Sequence, residues 1–177
     1  DLLTAPNGQA QQGLMRRALQ DASLQAKAIS VFEAHGTGTA LGDPIEAGSL
    51  AAAVLAEQQR GHALACGGIK ANLGHGESTA GMSGLLRLVL GLASGDAPPN
   101  AQLRALNTHV RAATRGKPSV IPSQLAGCRM ESVAPAARSG GMNSFGYSGT
   151  IVHAVLAFQS GNEAPVRARR GRGDALA

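Results

Sequence analysis

Two short apolar runs, each followed by a glycine-rich turn that carries one histidine, constrain the fold more than any other feature of the sequence. The run Ile29–Phe32 leads into the turn around His35, and the run Leu64–Ile69 leads into the turn around His75. Apolar runs of this length are typical of buried strands, and glycine lets the chain turn sharply after them. The pattern predicts strand–turn–helix units that deliver two imidazoles to one pocket, with room for a substrate between them.

The segment after the first histidine predicts the start of a helix. Asp43 can cap the free N–H groups, Pro44 fits the first helical position, and Glu46 stands where a capping-box partner belongs. This helix is expected to run to about Gln58, since Gly61 ends its pattern.

Two other segments have helical spacing. Residues 10–22 predict an amphipathic helix. Residues 79–92 are apolar on nearly every side, with Arg87 as the only charge. A helix of that kind belongs in the interior of a larger body.

The last part of the chain divides into an irregular region, two strands and a tail. Residues 101–138 show no long periodic pattern, and a glycine-rich loop over 140–150 is expected to join two strands, the second at 151–158. Residues 164–177 carry four arginines against one aspartate. We therefore expect a disordered basic tail or linker over 159–177, with weak attraction to an acidic partner as the alternative.

Composition excludes several classes of function. The formal net charge is only +5, with three Phe and one Tyr, and without a basic face interleaved with aromatics no nucleic-acid binding is expected. No apolar run reaches the length of a membrane span. Cys66 and Cys128 form no disulfide framework and no ligand spacing, which indicates a reduced intracellular compartment, with the cytoplasm as our expectation. The absence of HxxxH and CxxC spacing argues against a metal site.

The start of the chain, Asp1-Leu2-Leu3-Thr4, has no Met and no signal-type core. This abrupt opening indicates a piece of a longer polypeptide, so targeting to an organelle stays open.

The two histidines favour chemistry at a carbonyl group. Two neutral imidazoles aimed at one point can hold a carbonyl oxygen and stabilise charge that develops on it. Lys70, five residues before His75, could orient a neighbour, keep an imidazole neutral or bind an anion. The alternative for each histidine is a structural side chain with satisfied hydrogen bonds. His62 and His109 are expected on the surface, and His153 in the core or at a sheet edge.

Four long segments carry a family resemblance. They are LTAPNGQAQQGLMRRAL (Leu3–Leu19), EAHGTGTALGDPIEA (Glu33–Ala47), GGIKANLGHGESTAGMSGL (Gly67–Leu85) and GGMNSFGYSGTIVHAVL (Gly140–Leu156). In this order and spacing they resemble the motifs of β-ketoacyl synthases of the type I polyketide synthase kind. The second histidine motif of that family is written K-S-N-x-G-H.

The resemblance implies an α/β, thiolase-like fold, of which residues 1–158 are the C-terminal half. That half has a mixed sheet, a buried central helix at about 79–92 and flanking helices. The implied activity is an acyltransferase that forms carbon–carbon bonds by decarboxylative Claisen condensation of an acyl thioester with a malonyl-type extender, in polyketide or fatty-acid synthesis. The implied partners are an acyl carrier protein, the N-terminal half of the same ketosynthase and a second copy in a homodimer. Phosphopantetheine carries the substrates, and no cofactor is bound directly.

The resemblance also assigns the catalytic positions. His35 and His75 match the two histidines that bind the thioester carbonyl of the extender and stabilise the enolate. Lys70 matches the supporting lysine of the second motif. The backbone N–H of Phe145 matches an oxyanion-hole donor, and its ring matches a gate near the acyl pocket.

Further positions concern substrate contact and departures from the family pattern. Thr37 and Thr39 match channel positions that contact the phosphopantetheine arm. Neither Cys66 nor Cys128 matches the nucleophilic cysteine of the family's T-A-C-S-type turn, so the chain alone is expected to be inactive. Ile151 stands where the family has asparagine, whose hydrogen bonds it cannot make.

Two other functions stay open. The first is a ketosynthase-like module without catalysis that binds acyl chains or a carrier protein. The second is a thiolase-like acyl-CoA enzyme that works in the degradative direction, although the long histidine motifs favour the carrier-dependent synthases. A nucleophilic cysteine in the roughly 200 residues upstream would favour the condensing enzyme.

Overall fold

The computed structural model describes residues 5–58, 63–101, 103–123 and 138–158. Within these ranges one five-stranded sheet is covered by helices on both faces, and the strand order is β3-β2-β1-β4-β5. The strands are β1 (Ile29–Glu33), β2 (Leu64–Gly67), β3 (Ser119–Val120), β4 (Ser139–Phe145) and β5 (Ile151–Ala157). The helices are α1 (Gly8–Asp21), α2 (Gly42–Ala53), α3 (Lys70–Leu73), α4 (Ala80–Ser94) and α5 (Thr108–Thr114).

The sheet is mixed, as expected. β1 runs parallel to β2 and to β4, and β2 runs parallel to β3, whereas β5 is antiparallel to β4. Parallel strands end at the same edge of a sheet. The segments that follow β1 and β2, together with the end of β4, therefore meet at one edge.

Two groups of buried apolar side chains join the helices to the two faces of the sheet. Val31 and Phe32, which are neighbours in β1, belong to different groups because side chains alternate between the two faces along a strand. One group joins α1 and α2 to one face of the sheet, and its members include Met15, Leu19, Leu50, Phe32 and Leu64. The other joins α4 to the opposite face, and its buried members are Leu88, Leu92, Val31 and Met142. Burying one such large side chain contributes about 1.5–3 kcal/mol.

The predicted helix after the first histidine is shorter than expected. It ends at Ala53, and a 3-10 turn follows over Leu55–Glu57. Val54 leaves the helical conformation with φ −124° and ψ −55°, and its side chain is only 1% exposed. Gln58 then donates through Nε2 to the carbonyl oxygens of Ala26 and Ile29. The helix therefore ends where Val54 turns into the core, and Gly61 lies outside the described residues.

The region over 101–138 is more regular than the sequence indicated, since it contains α5 and β3. The Asn107 side chain accepts hydrogen bonds from the N–H groups of His109 and Val110, which is the N-cap arrangement. The expected loop over 140–150 is also partly wrong, because Ser139–Phe145 is a strand and only 146–150 turns.

Some predictions fall outside the described residues, namely those on His62, Cys128 and the tail over 159–177. His109 is exposed, as predicted. In the ranges that the structure describes, no helix is long and apolar enough to cross a bilayer.

Candidate active site

The turn that carries His35 starts at the end of β1 and is held by the carboxylate of Glu46 from α2. Oε1 of Glu46 accepts the N–H of His35 at 2.8 Å, and Oε2 accepts the N–H of Gly36 at 2.9 Å. Gly36 has φ +46°, a conformation that favours glycine. Glu46 is 5% exposed, so these hydrogen bonds replace the water that the carboxylate loses on burial.

The capping roles predicted for Asp43 and Glu46 are therefore wrong. The helix begins at Gly42, whose N–H donates to Thr39 Oγ1 at 3.0 Å. Asp43 accepts the N–H of Gly38 at 3.2 Å. Both carboxylates bind N–H groups of the glycine-rich turn, because this turn folds back over the first turn of the helix.

The turn that carries His75 is held by a second buried carboxylate. Glu33 is 1% exposed and accepts the N–H of Ile69, just before α3, at 2.6 Å. Its other oxygen pairs with the guanidinium of Arg87 from α4. The chain then turns at Gly74, with φ +82°, and exposes the His75 side chain at the sheet edge.

The two histidine rings and Phe145 meet at this edge. The ring centroids of His35 and His75 lie 5.9 Å apart, with an edge-to-face angle of 89°. The ring of Phe145, at the end of β4, lies 5.1 Å from His35. The N–H of Phe145 donates to His35 Nδ1 at 3.3 Å. A neutral imidazole with Nδ1 as acceptor carries its proton on Nε2, so His35 can donate from Nε2.

Electrostatics favour the neutral form of His35. Burial, which is the larger cause, and the nearby positive charge of Lys70 together lower the pKa of His35 to about 4. Burial also lowers the pKa of Lys70, while the carboxylates of Glu33, Glu46 and Asp43 oppose that shift. At neutral pH the site therefore contains an uncharged His35 beside a lysine surrounded by carboxylates.

The two predicted threonines differ in environment. Thr37 is half-buried, whereas Thr39 is exposed and its hydroxyl accepts the Gly42 N–H. Ile151 lies directly opposite Phe145 in the pairing of β4 with β5.

Cys66 lies in β2. Burial raises the pKa of its thiol to about 12, and the charge of Glu46 adds to that shift. A thiol with such a pKa stays protonated at neutral pH and is a poor nucleophile.

A cavity of about 500 Å³ lies behind the His35 turn, between α2, β2 and α5. Its lining includes Gly36, Gly38 and Asp43, but the rings of His35 and His75 do not line it. The candidate chemistry is therefore on the open sheet edge rather than in this cavity. Within the described part of the chain, no group of three or more His, Cys, Asp or Glu side chains could hold a metal ion.

The mixed sheet between helical layers, with two imidazoles at the shared ends of its parallel strands, has the architecture that the resemblance implies for the C-terminal half of a thiolase-like fold. The sequence model of the family Beta-ketoacyl synthase, C-terminal domain, matches residues 1–104. The chain belongs to this family, as the motifs predicted.

Polyketide synthases are among the relatives. The chain is 36% identical over 154 residues to the highly reducing polyketide synthase azaB of Aspergillus niger, and the match covers 87% of the chain and 6% of that protein. It is 40% identical over 154 residues to the polyketide synthase GfsA of Streptomyces halstedii, covering 87% of the chain and 2% of that protein.

Solved ketosynthases share the fold. The oxazolomycin ketosynthase domain OzmH KS7 of Streptomyces albus is 31% identical with a TM-score of 0.78, over 92% of this chain and 28% of that one. The ketosynthase from module 6 of the bacillaene synthase of Bacillus subtilis is 29% identical with a TM-score of 0.80, over 91% of this chain and 28% of that one. The chain thus spans less than a third of these structures and less than a tenth of the two polyketide synthases.

Proposed function

We propose that this chain supplies the histidine half of a condensing enzyme that lengthens an acyl chain by decarboxylative Claisen condensation. The single observation that supports the proposal most strongly is the convergence of the His35 and His75 rings, 5.9 Å apart, beside Phe145. The family resemblance implies an extender of the malonyl type, delivered on the phosphopantetheine arm of an acyl carrier protein, and relatives that are polyketide synthases support this assignment.

In the first step the extender loses carbon dioxide. The electron pair of the bond to the leaving carboxylate moves into the thioester, and an enolate forms. Its oxygen accepts hydrogen bonds from His35 Nε2 and from the ring of His75. Donors already aimed at a developing oxyanion need no reorganisation during the reaction, which is why such pairs accelerate it strongly.

In the second step the enolate carbon attacks the carbonyl carbon of an acyl group held as a thioester on a cysteine. The new carbon–carbon bond forms, the carbon–sulfur bond breaks, and the thiolate leaves. The product is a β-ketoacyl chain, two carbons longer, on the carrier. The N–H of Phe145 donates to His35 Nδ1 in this structure. In the reaction we propose that this hydrogen bond breaks and that the Phe145 N–H donates to the acyl carbonyl oxygen instead.

Lys70 acts on His35 through its charge. A positive charge nearby disfavours the imidazolium form of His35. This matters because the ring has to be uncharged with a proton on Nε2, so that it donates a hydrogen bond without transferring the proton. Thr37 and Thr39, on the same turn, are proposed to contact the phosphopantetheine arm.

The nucleophilic cysteine would come from an N-terminal half with the same fold. Cys66 does not fit that role, since the pKa of its half-buried thiol is raised. The outer face of α4 supports docking of such a half, because Met82, Leu86 and Leu90 are 60%, 54% and 68% exposed there. We also propose that the complete enzyme is a homodimer.

A second candidate is a module that binds acyl chains or a carrier protein without condensing them. The observation that favours it is Ile151, whose apolar side chain stands directly opposite Phe145 where the family pattern has an amide. This module would retain carrier binding but would release no carbon dioxide from the extender.

The test uses an enzyme with both halves and a malonyl group on its carrier protein. Release of carbon dioxide and acylation of the cysteine are measured separately in His35→Ala, His75→Ala and the exposed control His109→Ala. Losing one oxyanion donor lowers rates by about 10²–10³-fold, so both site variants should lose decarboxylation while keeping acylation. Decarboxylation at the wild-type rate in either variant would remove that histidine from the mechanism, and none in the wild type would favour the second candidate.

A further inference from the structure

A row of polar side chains runs from the edge strand β5 to the turn that carries His35. Nδ2 of Asn143 lies 2.8 Å from Oε1 of Glu46, and Oδ1 of Asn143 lies 2.7 Å from Nδ1 of His153. Asn143 is 2% exposed and Glu46 is 5% exposed. The reaction proposed above gives neither Asn143 nor His153 a part, although both connect to the carboxylate that holds the His35 turn.

The chemistry of the groups fixes the direction of every hydrogen bond in this row. Burial raises the pKa of Glu46, but both of its oxygens accept N–H groups, so Asn143 presents its Nδ2 to Glu46 and its Oδ1 to His153. His153 then has to donate from Nδ1. Burial lowers the pKa of His153 to about 4, so the ring is neutral at pH 7 and its single N–H lies at Nδ1. Each link therefore has one donor and one acceptor.

The sheet around these side chains is shaped to hold them. Asn143 and His153 are direct partners in the antiparallel pairing of β4 with β5. The ring of His153 stacks on Phe32 of β1, with a centroid distance of 5.9 Å and an interplanar angle of 22°. This overlap is possible because residue 141 is glycine, since a Cβ there would lie 2.9 Å from His153 Cε1.

The geometry leaves Glu46 little freedom. Oε1 receives two donors, the backbone N–H of His35 and the amide of Asn143, while Oε2 receives the N–H of Gly36. Without the Asn143 amide, a buried oxygen keeps only one donor, and a carboxylate that is short of donors moves toward water. The two N–H groups of the turn would move with it.

We propose that Asn143 and His153 are positioning residues that fix the Glu46 carboxylate and thereby aim the His35 ring toward His75. The consequence for the rate of reaction rests on the proposed function above. The consequence for the turn itself does not, and the experiment separates the two.

The first measurement is hydrogen exchange followed by mass spectrometry, on the enzyme with both halves. The variants are Asn143→Ala and His153→Phe, where phenylalanine keeps a ring over Phe32, and the control is His109→Phe on the exposed face of α5. Peptides over 33–41 should exchange about tenfold faster or more in Asn143→Ala, and less so in His153→Phe. Peptides of β4 and β5 should keep their protection, and the control should behave as the wild type.

The second measurement is kinetic, and it compares decarboxylation of the extender with acylation of the cysteine. Asn143→Ala should reduce the kcat of decarboxylation at least tenfold, and His153→Phe should reduce it less. Acylation of the cysteine, which does not use the His35 ring in the proposed reaction, should stay near the wild-type rate in both variants.

The proposal fails if the 33–41 peptides exchange at the wild-type rate in Asn143→Ala. Equal acceleration in β4 and β5 also overturns it, because the residues would then only stabilise the strands. Equal losses of acylation and decarboxylation in Asn143→Ala would likewise overturn it. A wild-type enzyme that releases no carbon dioxide contradicts the proposed function, while the exchange data still decide the positioning of the turn.

Discussion

Two half-buried histidines make the stability of the fold depend on pH. Burial lowers the pKa values of His35 and His153 to about 4, from an ordinary value of 6.5. The unfolded chain therefore binds protons that the folded chain does not. Stability contributed by each ring is complete above pH 6.5 and is lost as the pH falls toward 4. At pH 5 the loss is about 2 kcal/mol for His153 and smaller for His35, whose ring is less buried and more screened by solvent.

We predict that His153→Phe flattens this dependence. The variant lacks the titrating ring but keeps an aromatic side chain against Phe32. Thermal midpoints of the protein with both halves, measured from pH 7 to pH 5, should fall less steeply for the variant than for the wild type. His109→Phe, at an exposed position, should leave the slope unchanged. An identical slope for His153→Phe would show that this ring titrates at its ordinary pKa in the folded protein.

The thiol of Cys66 should be unreactive in the folded protein. With a pKa raised to about 12, only about one thiol in ten thousand is ionised at pH 8, and the thiolate is the species that reacts. We expect alkylation of Cys66 by iodoacetamide, followed by mass spectrometry, to be at least about a hundredfold slower in buffer than in urea. Alkylation at the same rate in both would reopen Cys66 as a candidate nucleophile.

At the scale of single residues, the sequence predicts where the two histidines lie but not the carboxylates that hold their turns. The turns around His35 and His75 predict a shared site, since strand ends followed by glycine are recognisable locally, whereas only the family resemblance adds Phe145 to it. Glu46 was misassigned because its spacing from Asp43 also fits a capping box. Only the position of α2 beside the end of β1 shows that the Glu46 carboxylate faces the N–H groups of the turn.

Between elements, the pair of Glu33 and Arg87 connects β1 to α4 and, through Ile69, to the start of α3. We predict that Arg87→Met destabilises the protein by about 3–5 kcal/mol, because it leaves a buried carboxylate without its counter-charge. Adding Glu33→Gln should recover most of the loss, since an amide can still accept the Ile69 N–H. Thermal midpoints of the single and double variants test this, and a double variant as unstable as Arg87→Met would contradict it.

The length of a helix or strand decides whether its hydrophobic pattern can be recognised in the sequence. The 15 residues of α4 give several turns of periodic pattern, and its predicted bounds differ from the observed ones by two residues at most. α5 has seven residues and β3 has two, too few for a period to emerge. Gly140 suggested a loop, but it lies in β4, where a Cβ would approach Leu88 Cδ1 to 2.6 Å. Close packing against α4 explains a glycine inside a strand.

Across the whole molecule, the two faces of α4 differ in what covers them. The inner face packs on β1 and β4 through Leu88 and Leu92. The outer face presents Met82, Leu86 and Leu90, which recur at helical spacing and stay more than half exposed among the described residues. The sequence predicted a helix with apolar contacts on nearly every side, but in this structure the outer face of α4 is open to solvent. An exposed apolar face of this kind is typical of a surface that another protein covers.

We predict that the isolated chain self-associates through the outer face of α4. Charged residues on this face should raise the soluble fraction of the isolated chain but prevent its assembly with an N-terminal half. Leu86→Glu combined with Leu90→Lys should raise the soluble, monomeric fraction of the isolated chain, measured by light scattering after gel filtration, because it removes two large apolar side chains from the surface. The same variant should fail to assemble with an N-terminal half when the two are co-expressed, since burying either charge there costs several kcal/mol. Tyr147→Lys provides the control, because Tyr147 is 91% exposed but lies outside α4, so solubility should change little. A wild-type chain that stays monomeric and melts sharply and reversibly would contradict this role for the outer face of α4.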